Sequence, residues 1–362
     1  MNILILGNGQ LGQMLGKAVI QHGHQCLLYS DREHKVKALG SQQALAMSLA
    51  EATAWADVAT WEHEHLAEEI ITTSADKILL KPEQFARITD RRSQKQLCDD
   101  LGIPTSPWRA YENAEQLAEI LQHCDRAVVI KSAKGGYDGK GQWRWKPGQE
   151  IDTVAAEAGV RPGIVEDMIA FTDEVSVVAA RSHDNQQCAY PLTLNVHQNG
   201  ILSYSLAGTT SWSNKLEQLA QQHHAKLCEA LDYVGVLAIE FFVVGEGEQQ
   251  QLLVNEVAPR VHNSGHWTMS GANYDQFALH IRAITGMPLP ELLCAPTLML
   301  NAIGVAGYPE LLWKAAAADC HWYGKDPRPG RKVGHINMII DNAERGVQLA
   351  QEWAPQLQQL AE

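Results

Sequence analysis

The sequence is poor in the features that mark secreted, membrane and nucleic-acid-binding proteins. Its seven cysteines are scattered singly, with no Cys-x-x-Cys pair, a pattern that fits reduced, buried thiols in a cytosol. Basic residues are in deficit, with 29 Lys and Arg against 42 Asp and Glu, and the net charge of −13 repels nucleic acid and acidic membrane surfaces. An anionic ligand must therefore be held by a local cluster of positive groups.

Long apolar runs are also missing. No stretch approaches the roughly 20 apolar residues of a membrane span, since "LCAPTLMLNAIGVAGY" is broken by Pro296 and Asn301. The first residues, "MNILILGNG", carry no basic leader and too short an apolar run for a signal peptide. We therefore expect a cytoplasmic protein without a membrane or nucleic-acid partner. With 362 residues, 45% of them apolar, two or three packed subdomains are expected.

The N-terminal segment predicts a βαβ unit. A strand from Asn2 to Leu6, the turn "GNGQLG", a helix from Gln10 to Gln21 and a strand from Gln25 to Tyr29 follow one another. Another strand is expected from Asp57 to Glu62, so that residues 1–90 form a Rossmann-like parallel α/β domain. The Gly-x-Gly-x-x-Gly turn at residues 7, 9 and 12 suits a dinucleotide or any phosphate at a helix N-terminus, and close packing of helix on strand explains the glycines equally well.

The stretch "IKSAKGGYDGKGQWRW", from Ile130 to Trp145, is rich in glycine and lysine. Bare N–H groups and an ammonium commonly hold phosphate. A Walker A loop would continue with Ser or Thr and open a helix, whereas here Gln142 follows Gly141 and the flanks alternate like strands. We therefore predict a phosphate-binding loop between two strands.

Beyond Gly163 the pattern becomes α+β and largely antiparallel. "GVLAIEFFVV" and "QQLLVNEVAPR" predict a hairpin in which Glu240 and Glu256 lie roughly opposite each other, with Asn255 beside them. Such pairs are usually solvated strand residues, but a lone carboxylate in an apolar strand needs a partner or a metal. The oxygens of these three side chains suit Mg²⁺.

Several motifs resemble the ATP-grasp superfamily. "GNGQLGQM", "GGYDGKGQW", "NEVAPRVHNSGHWT" and "RPGRKVGHIN" closely resemble, in order, the 5-(carboxyamino)imidazole ribonucleotide synthases of purine biosynthesis. The resemblance implies an ATP-grasp fold with an ATP-grasp domain over 91–295, a glycine-rich lid loop and a small C-terminal domain over 296–362 that completes the substrate site. It also suggests a homodimer.

The resemblance implies a nucleotide site for ATP and Mg²⁺. Lys131 and Arg91 would reach the phosphates, the glycine loop would close over them, "EDMI" would hold the adenine edge, and Glu174 the ribose. The predicted nucleotide-binding residues are Arg91, Lys131, Gly136, Tyr137, Asp138, Gly139, Lys140, Gly141, Gln142, Glu166, Asp167, Met168, Ile169, Glu174, His197, Asn255 and Glu256, with Glu240 and Glu256 as metal ligands. Lys140 stands where some relatives have Arg, so a bidentate grip is lost there.

A second site for 5-aminoimidazole ribonucleotide and bicarbonate is implied by the same resemblance. Its predicted substrate-binding residues are Gln10, Glu62, Arg260, His262, Asn263, Lys325, Arg331 and Lys332. The predicted catalytic residues are Tyr137, Asp138, Arg260, His262 and Asn263. Clustered cations in an acidic protein suit a ribose phosphate and a small carbonate anion.

The implied reaction is ATP-dependent carboxylation of the exocyclic amine of 5-aminoimidazole ribonucleotide, through carboxyphosphate, with release of ADP and phosphate. The amine would take the carboxyl carbon either directly from carboxyphosphate or as released CO₂. Another ATP-grasp ligase, such as a formate-dependent glycinamide ribonucleotide transformylase, would share the nucleotide half. An NAD-dependent oxidoreductase built on residues 1–90 is a rival of another class. A silent nucleotide-binding regulator is disfavoured by Lys131, Glu240 and Glu256. His63 and His65 have no third ligand at a suitable spacing, which argues against zinc.

Overall fold

The computed structural model describes residues 1–135, 141–209 and 212–360. The chain divides into two compact units. The first unit comprises Met1–Pro82, Val175–Ile239 and Ala258–Glu362, and the second unit comprises Glu83–Glu174 and Glu240–Val257. The division into domains 1–90, 91–295 and 296–362 stays a prediction.

The described residues form the following strands and helices. The strands are β1 (Asn2–Leu6), β2 (Gln25–Ser30), β3 (Lys35–Ala38), β4 (Val58–Trp61), β5 (Trp108–Tyr111), β6 (Val128–Ser132), β7 (Gln142–Trp145), β8 (Gly163–Asp167), β9 (Asp173–Arg181), β10 (Gln187–Ala189), β11 (Thr193–Gln198), β12 (Ile201–Ala207), β13 (Gly235–Val244), β14 (Gln251–Ala258), β15 (Thr297–Ile303), β16 (Asp319–Trp322) and β17 (Lys332–Ile339). The helices are α1 (Gln10–Gln21), α2 (Leu49–Trp55), α3 (Glu68–Thr73), α4 (Pro82–Thr89), α5 (Arg91–Asp100), α6 (Ala114–Gln122), α7 (Ile151–Ala158), α8 (Asn214–Leu231), α9 (Thr268–Gly271), α10 (Gln276–Ile284), α11 (Glu310–Lys314) and α12 (Ala343–Leu357).

The N-terminal sheet of the first unit has the strand order β3-β2-β1-β4. Strand β1 pairs in parallel with β2 and β4, which confirms the predicted βαβ unit. The sheet is not wholly parallel, because β3 pairs antiparallel with β2, Tyr29 facing Val36. Residues 31–34 form only a tight turn, with His34 at φ 53°, and a connection this short permits a hairpin but no parallel crossover.

The large sheet has the order β14-β13-β9-β11-β12-β15-β17-β16, with β10 paired to β9. Its pairs β11/β12, β12/β15, β15/β17 and β16/β17 are antiparallel, as the sequence predicts. The alternation in "CAYPLTLNVH" predicts a single strand, but the structure has two strands there. The stretch divides into β10 and β11 around Pro191, whose missing N–H cannot donate to a strand ladder.

The second unit contains the antiparallel sheet β5-β8-β6-β7. Lys131 on β6 faces Gln142 on β7, so the glycine-rich segment connects two paired strands, as predicted. Helices α6 and α7 cover the sheet with buried Leu117 and Ala155, which pack in one cluster with Ile130.

No helix in the described part of the chain is long and apolar enough to cross a membrane. All seven cysteines carry free thiols. Their predicted burial is only partly right, because Cys98 and Cys228 are buried whereas Cys294 and Cys320 are exposed.

Candidate active site

In the first unit, the glycine turn after β1 is filled by the side chain of Glu62. The carboxylate accepts a hydrogen bond from the Gly12 N–H at 2.7 Å, and a Cβ added at Gly9 would lie 2.5 Å from its Oε1. The glycines therefore make room for an internal carboxylate at the N-terminus of α1, the place where a dinucleotide-binding domain holds pyrophosphate. Burial raises the pKa of Glu62, although the N–H groups and His63 oppose the rise. Gln10 is the first residue of α1.

Arg260 is paired with the carboxylate of Glu64, a residue outside the predicted site. Its Nε lies 2.5 Å from Oε2 of Glu64 and its Nη2 lies 3.2 Å from Oε1. Burial opposes ionisation of Glu64, yet the adjacent guanidinium lowers the pKa of its carboxyl to about 2. The alternation of "WEHEH" is the signal that could have revealed it, because residues two apart on an extended segment share a face.

His262 lies near two cations. Burial lowers its pKa well below the ordinary value, and Arg260 and Lys332 lower it further. Its Nδ1 is 2.9 Å from Oγ of Ser264. The amide Nδ2 of Asn263 is buried without a hydrogen-bond partner among the described residues. The structure therefore brings Arg260, His262 and Lys332 together around polar groups suited to an oxyanion.

The other predicted cations occupy the segment before β17. Lys325 lies over the ring of Tyr323, 5.8 Å from its centroid. Arg331 donates from Nη1 to the carbonyl of Asp326 at 3.1 Å. Lys332 is the first residue of β17, so these cations lie within one loop and the strand that follows it.

Three histidine rings form a stack that includes His335 of β17. The His335 ring lies between those of His266 and His321, with centroid separations of 4.6 and 4.5 Å. The Tyr323 hydroxyl is 2.6 Å from Nδ1 of His335. Burial lowers the pKa of both His266 and His335, so these two rings are neutral near pH 7. Sequence reasoning gave no sign of this stack.

In the second unit, Lys131 belongs to a buried ion-pair chain. Its Nζ lies 2.6 Å from Oε2 of Glu166 and donates to Oδ1 of Asn255 at 2.9 Å. Lys95 lies 2.5 Å from the other oxygen of Glu166 and donates to the carbonyl of Val254 at 3.2 Å. Burial opposes ionisation of Glu166, but the two ammonium groups lower its pKa to about 2.

Lys95 was missed, although it lies four residues after Arg91 and so on the same face of α5. Arg91 itself joins the end of β6 to Glu256. It donates from Nη1 to the carbonyl of Ser132 at 2.9 Å, and its Nη2 lies 3.7 Å from Oε2 of Glu256. The helix thus places one cation at the root of the glycine-rich loop.

The predicted metal ligands lie on neighbouring strands, with Glu240 on β13 and Glu256 on β14. Their mutual register stays a prediction. The side chain of Glu256 is 34% exposed, which leaves it accessible to a ligand. Among the described residues, no group of three or more His, Cys, Asp and Glu side chains is arranged for a metal ion. A cation here would therefore draw further ligands from Asn255, water or a nucleotide.

The predicted adenine segment is partly engaged by the protein. The N–H of Asp167 donates to the Pro107 carbonyl at 2.9 Å, and the N–H of Met168 donates to the Ala127 carbonyl at 3.0 Å. Those two N–H groups therefore cannot hold an adenine edge. The contact expected of "EDMI" stays a prediction for the other backbone groups.

For the other residues predicted to bind the nucleotide, the structure gives the position in the fold, and their role stays a prediction. Glu174 is on β9 in the second unit, and His197 is on β11 in the first. Gly141 takes φ 68°, and its carbonyl accepts from the Ser132 N–H at 3.0 Å. The predicted residues Gly136, Tyr137, Asp138, Gly139 and Lys140 lie outside the described residues.

Two family descriptions match the chain. The ATP-grasp domain matches residues 96–277, and the phosphoribosylaminoimidazole carboxylase C-terminal domain matches residues 297–348.

Among curated proteins, the chain is 40% identical to N5-carboxyaminoimidazole ribonucleotide synthase of Vibrio parahaemolyticus, over 94% of this chain and 91% of the relative. The crystal structure of the synthetase from Thermus thermophilus superimposes with a TM-score of 0.84 at 33% identity, covering 99% of each chain. A synthase from Aspergillus clavatus in complex with ADP and 5-aminoimidazole ribonucleotide has a TM-score of 0.84 at 25% identity and covers 98% of each chain.

Fold, motif order and full-length identity agree with one another. The chain belongs to the N5-carboxyaminoimidazole ribonucleotide synthase family and has the ATP-grasp fold.

Proposed function

We propose that this chain carboxylates the exocyclic amine of 5-aminoimidazole ribonucleotide, using ATP and bicarbonate and releasing ADP and phosphate. The observation that carries the proposal is the group formed by Arg260, His262, Asn263 and Lys332 in the first unit. It offers two cations and a buried amide N–H without a partner among the described residues, inside a protein of net charge −13. A small oxyanion suits such a group.

Support for a phosphate end of the substrate comes from the segment before β17. Lys325 and Arg331 lie in one loop near Lys332, in the part of the chain that matches the C-terminal domain of the family. Glu62 is held at the N-terminus of α1 by the Gly12 N–H, where it can accept a hydrogen bond from a ribose hydroxyl or an amine. The ribonucleotide named with the Aspergillus clavatus relative has these groups.

Support for ATP comes from the second unit. Lys131 and Arg91 put positive charge at the root of the glycine-rich loop. Because Lys131 is already paired with Glu166, a nucleotide phosphate would share its ammonium with that carboxylate. Glu166 would then fix the lysine in place, which spares the binding step part of the entropy of ordering a long side chain.

Mg²⁺ fits the oxygen donors of Glu240, Asn255 and Glu256. A bound divalent cation would offset negative charge on the transferred phosphoryl group.

The two chemical steps balance without an oxidant or reductant. An oxygen of bicarbonate attacks the γ-phosphoryl group of ATP, giving carboxyphosphate and ADP. The amine nitrogen then bonds to the carboxyl carbon, the carbon–oxygen bond to phosphate breaks, and the nitrogen loses a proton. Arg260 and Lys332 would offset the charge of the carboxyl oxygens, and exclusion of water would protect carboxyphosphate from hydrolysis. A cytoplasmic location and a homodimer stay predictions from the sequence and its resemblance.

The test is the identity of the carbon source. ADP release should be slow until the ribonucleotide is added, and it should fall in buffer depleted of CO₂. Formate should not restore it. With carbon-13 bicarbonate, NMR of the unquenched mixture should show a carbamate on the exocyclic nitrogen. Label appearing first at ring C4 would mean a direct carboxylase, and formate-dependent ATP cleavage would mean a transformylase.

A further inference from the structure

Four buried polar side chains form a chain of hydrogen bonds that ends at the imidazole of His262. Ser205 donates from Oγ to Oδ1 of Asn195 at 2.7 Å, and Nδ2 of Asn195 donates to Oγ of Ser176 at 2.9 Å. Ser176 donates to Oγ of Ser264 at 2.8 Å, and that oxygen is 2.9 Å from Nδ1 of His262. All four side chains are at most 3% exposed.

The fold aligns this chain through the large sheet. Asn195 on β11 faces Ser205 on β12 in the strand register, and Ser176 lies on β9, the other neighbour of β11. Ser264 lies in the short 3-10 helix Asn263–Gly265, for which His262 is the N-cap. The hydroxyls are thus placed by strand pairing and a cap rather than by mobile loops.

The direction of donation decides which ring nitrogen of His262 carries the proton. Ser264 accepts from Ser176, so its own hydroxyl hydrogen points to Nδ1. Independently, the main-chain N–H of Ser264 donates to the same nitrogen at 3.3 Å. An N–H can only donate, so Nδ1 must be the unprotonated acceptor.

We propose that the chain Ser205–Asn195–Ser176–Ser264 holds His262 in the neutral tautomer with its proton on Nε2. The imidazole then meets the substrate as a hydrogen-bond donor and not as a general base. This inference deepens the proposed function and rests on it for the oxyanion that Nε2–H would contact. In the proposed reaction that oxyanion is bicarbonate or the carboxyl group derived from it.

The charged groups around the ring favour the same state. Burial and the nearby cations Arg260 and Lys332 oppose protonation, His266 opposes it weakly, and only the Glu64 carboxylate favours it. A second proton would have to enter at Nδ1, against the Ser264 N–H and against the hydroxyl that now donates there. A neutral donor suits a site with two cations, because it adds directional bonding without further like charge.

Nitrogen-15 NMR of the full-length protein with labelled histidine reads the tautomer without any substrate. The His262 signals are assigned by their loss in His262→Gln. We expect an unprotonated Nδ1 and a protonated Nε2, unchanged from pH 8 to pH 5.5. A protonated Nδ1, an average of the two tautomers, or titration of the ring within this range would overturn the proposal.

Reversing the chain tests its part in the effect. Asn195→Asp replaces the donor that faces Ser176 by an acceptor. Ser176 should then donate to the new carboxylate and Ser264 should donate to Ser176, so that a lone pair of the Ser264 hydroxyl faces Nδ1 of His262. We expect signal from protonated Nδ1 and a fall in kcat of about tenfold or more, with little change in the KM for ATP. The matched control is Asn301→Asp, because Asn301 is equally buried but donates to the Leu202 carbonyl.

The control should leave the His262 signals as they are. Unchanged signals in Asn195→Asp, or equal changes in the two variants, would contradict a role for the chain.

Kinetics separate donation from base catalysis. The amide nitrogen of glutamine can stand in for Nε2, whereas that of asparagine stands nearer Nδ1. We expect His262→Gln to keep kcat within about tenfold of the wild type and His262→Asn to lose about 10²-fold or more. Equal losses would overturn donation by Nε2.

The two proposals are tested separately. A protein that does not use bicarbonate would contradict the proposed function, whereas the tautomer of His262 is decided by the NMR measurement, which needs no substrate.

Discussion

Two buried carboxylates of this protein are neutralised by ion pairs with its own lysine and arginine side chains. Glu64 pairs with Arg260 in the first unit, and Glu166 pairs with Lys95 and Lys131 in the second. A buried carboxylate is costly unless it is paired and hydrogen-bonded. Two of the cations that the sequence assigns to substrates therefore have a second role, since Arg260 also stabilises the buried Glu64 and Lys131 also stabilises the buried Glu166.

Replacing Lys95 by Met tests this pairing. Glu166 would keep one of its two ammonium partners, and removing one partner of a buried ion pair typically costs about 3–5 kcal/mol. We expect the free energy of unfolding in urea to fall by that order, with a rise in the KM for ATP as Lys131 is drawn more strongly to Glu166. Adding Glu166→Gln should recover part of the stability.

The matched control is Lys146→Met, an exposed lysine of the second unit, which should change stability by less than about 0.5 kcal/mol. A loss from Lys95→Met no larger than that of the control would show that the pairing contributes little.

Glu256 is the acid whose removal should affect chemistry more than stability. Its side chain is 34% exposed, so Glu256→Gln should leave the melting temperature nearly unchanged. We expect ATP turnover to fall by about tenfold or more, because the proposed cation would lose a charged ligand. The control is Glu119→Gln on α6, an exposed acid of the same unit. Near wild-type turnover at saturating Mg²⁺ would remove Glu256 from the metal proposal.

Among the secondary-structure elements, the turn between β1 and α1 shows how one long-range contact changes the meaning of a motif. The glycine pattern by itself permits a dinucleotide site. In the structure, a Cβ at Gly9 or Gly12 would lie 2.5 or 2.7 Å from an oxygen of Glu62. Glu62, which lies fifty residues beyond Gly12, therefore requires glycine at these two positions. Its carboxylate also complements the partial positive charge at the N-terminus of α1.

Gly9→Ala should destabilise the protein by about 1–3 kcal/mol, the usual cost of overpacking. The added methyl group would collide with the Glu62 carboxylate. Glu62→Ala in the same chain should return part of that stability by removing the obstacle, although it should also abolish the proposed contact with substrate. Urea unfolding of the two single variants and the double variant measures the coupling. Additive losses would show that Glu62 is not what restricts Gly9.

The sequence predicts an element well when the pattern that indicates it lies within the element itself. Strand β1 and helix α1 match the predicted ranges Asn2–Leu6 and Gln10–Gln21, because alternation and helical spacing are local. The β2–β3 hairpin was missed because β3 is only four residues long and two of them are lysines, a residue type that is depleted in strands. Local spacing could mark Glu64 and Lys95 as candidates. It could not predict their partners Arg260 and Glu166, or the Ser264 chain, because these contacts join residues that are distant in sequence.

At the scale of the whole molecule, several histidines that are not among the predicted site residues are buried, including His224, His266 and His280. Burial lowers the pKa of His224 and His280 to about 4 and that of His266 to about 3. Each has a neutral ring held by the fold, as when the Val236 N–H donates to Nδ1 of His280 at 3.0 Å. These rings stay neutral until the pH falls well below 6.5, whereas in the unfolded chain they would take up protons near that value.

Stability should therefore decline on mild acidification. A histidine whose folded-state pKa is depressed contributes its full share above pH 6.5 and loses it as the pH falls from 6.5 towards 4, by about 1.4 kcal/mol per pH unit. For His224, His266 and His280 together, we expect a loss of about 4 kcal/mol between pH 7.5 and pH 5.5 in urea unfolding. Glu64 and Glu166, with pKa values of about 2, add their losses only below about pH 4.5.

Asp275 and Glu217 oppose this trend, because burial raises their pKa. As the pH falls, the folded state therefore takes up their protons at a higher pH than the unfolded state does.

The contribution of one histidine can be measured by comparing the pH dependence of the unfolding free energy in two single variants. Glutamine at His224 can still donate to the Ala179 carbonyl, which the imidazole Nε2 approaches at 3.1 Å, but it cannot be protonated. His224→Gln should therefore reduce the slope of unfolding free energy against pH by about one proton's worth between pH 6.5 and pH 4.5. The control is His123→Gln, the same substitution at an exposed position after α6. A slope that is the same in both variants would mean that His224 titrates alike in the folded and unfolded chains, so that acid sensitivity would have to arise from the carboxylates instead.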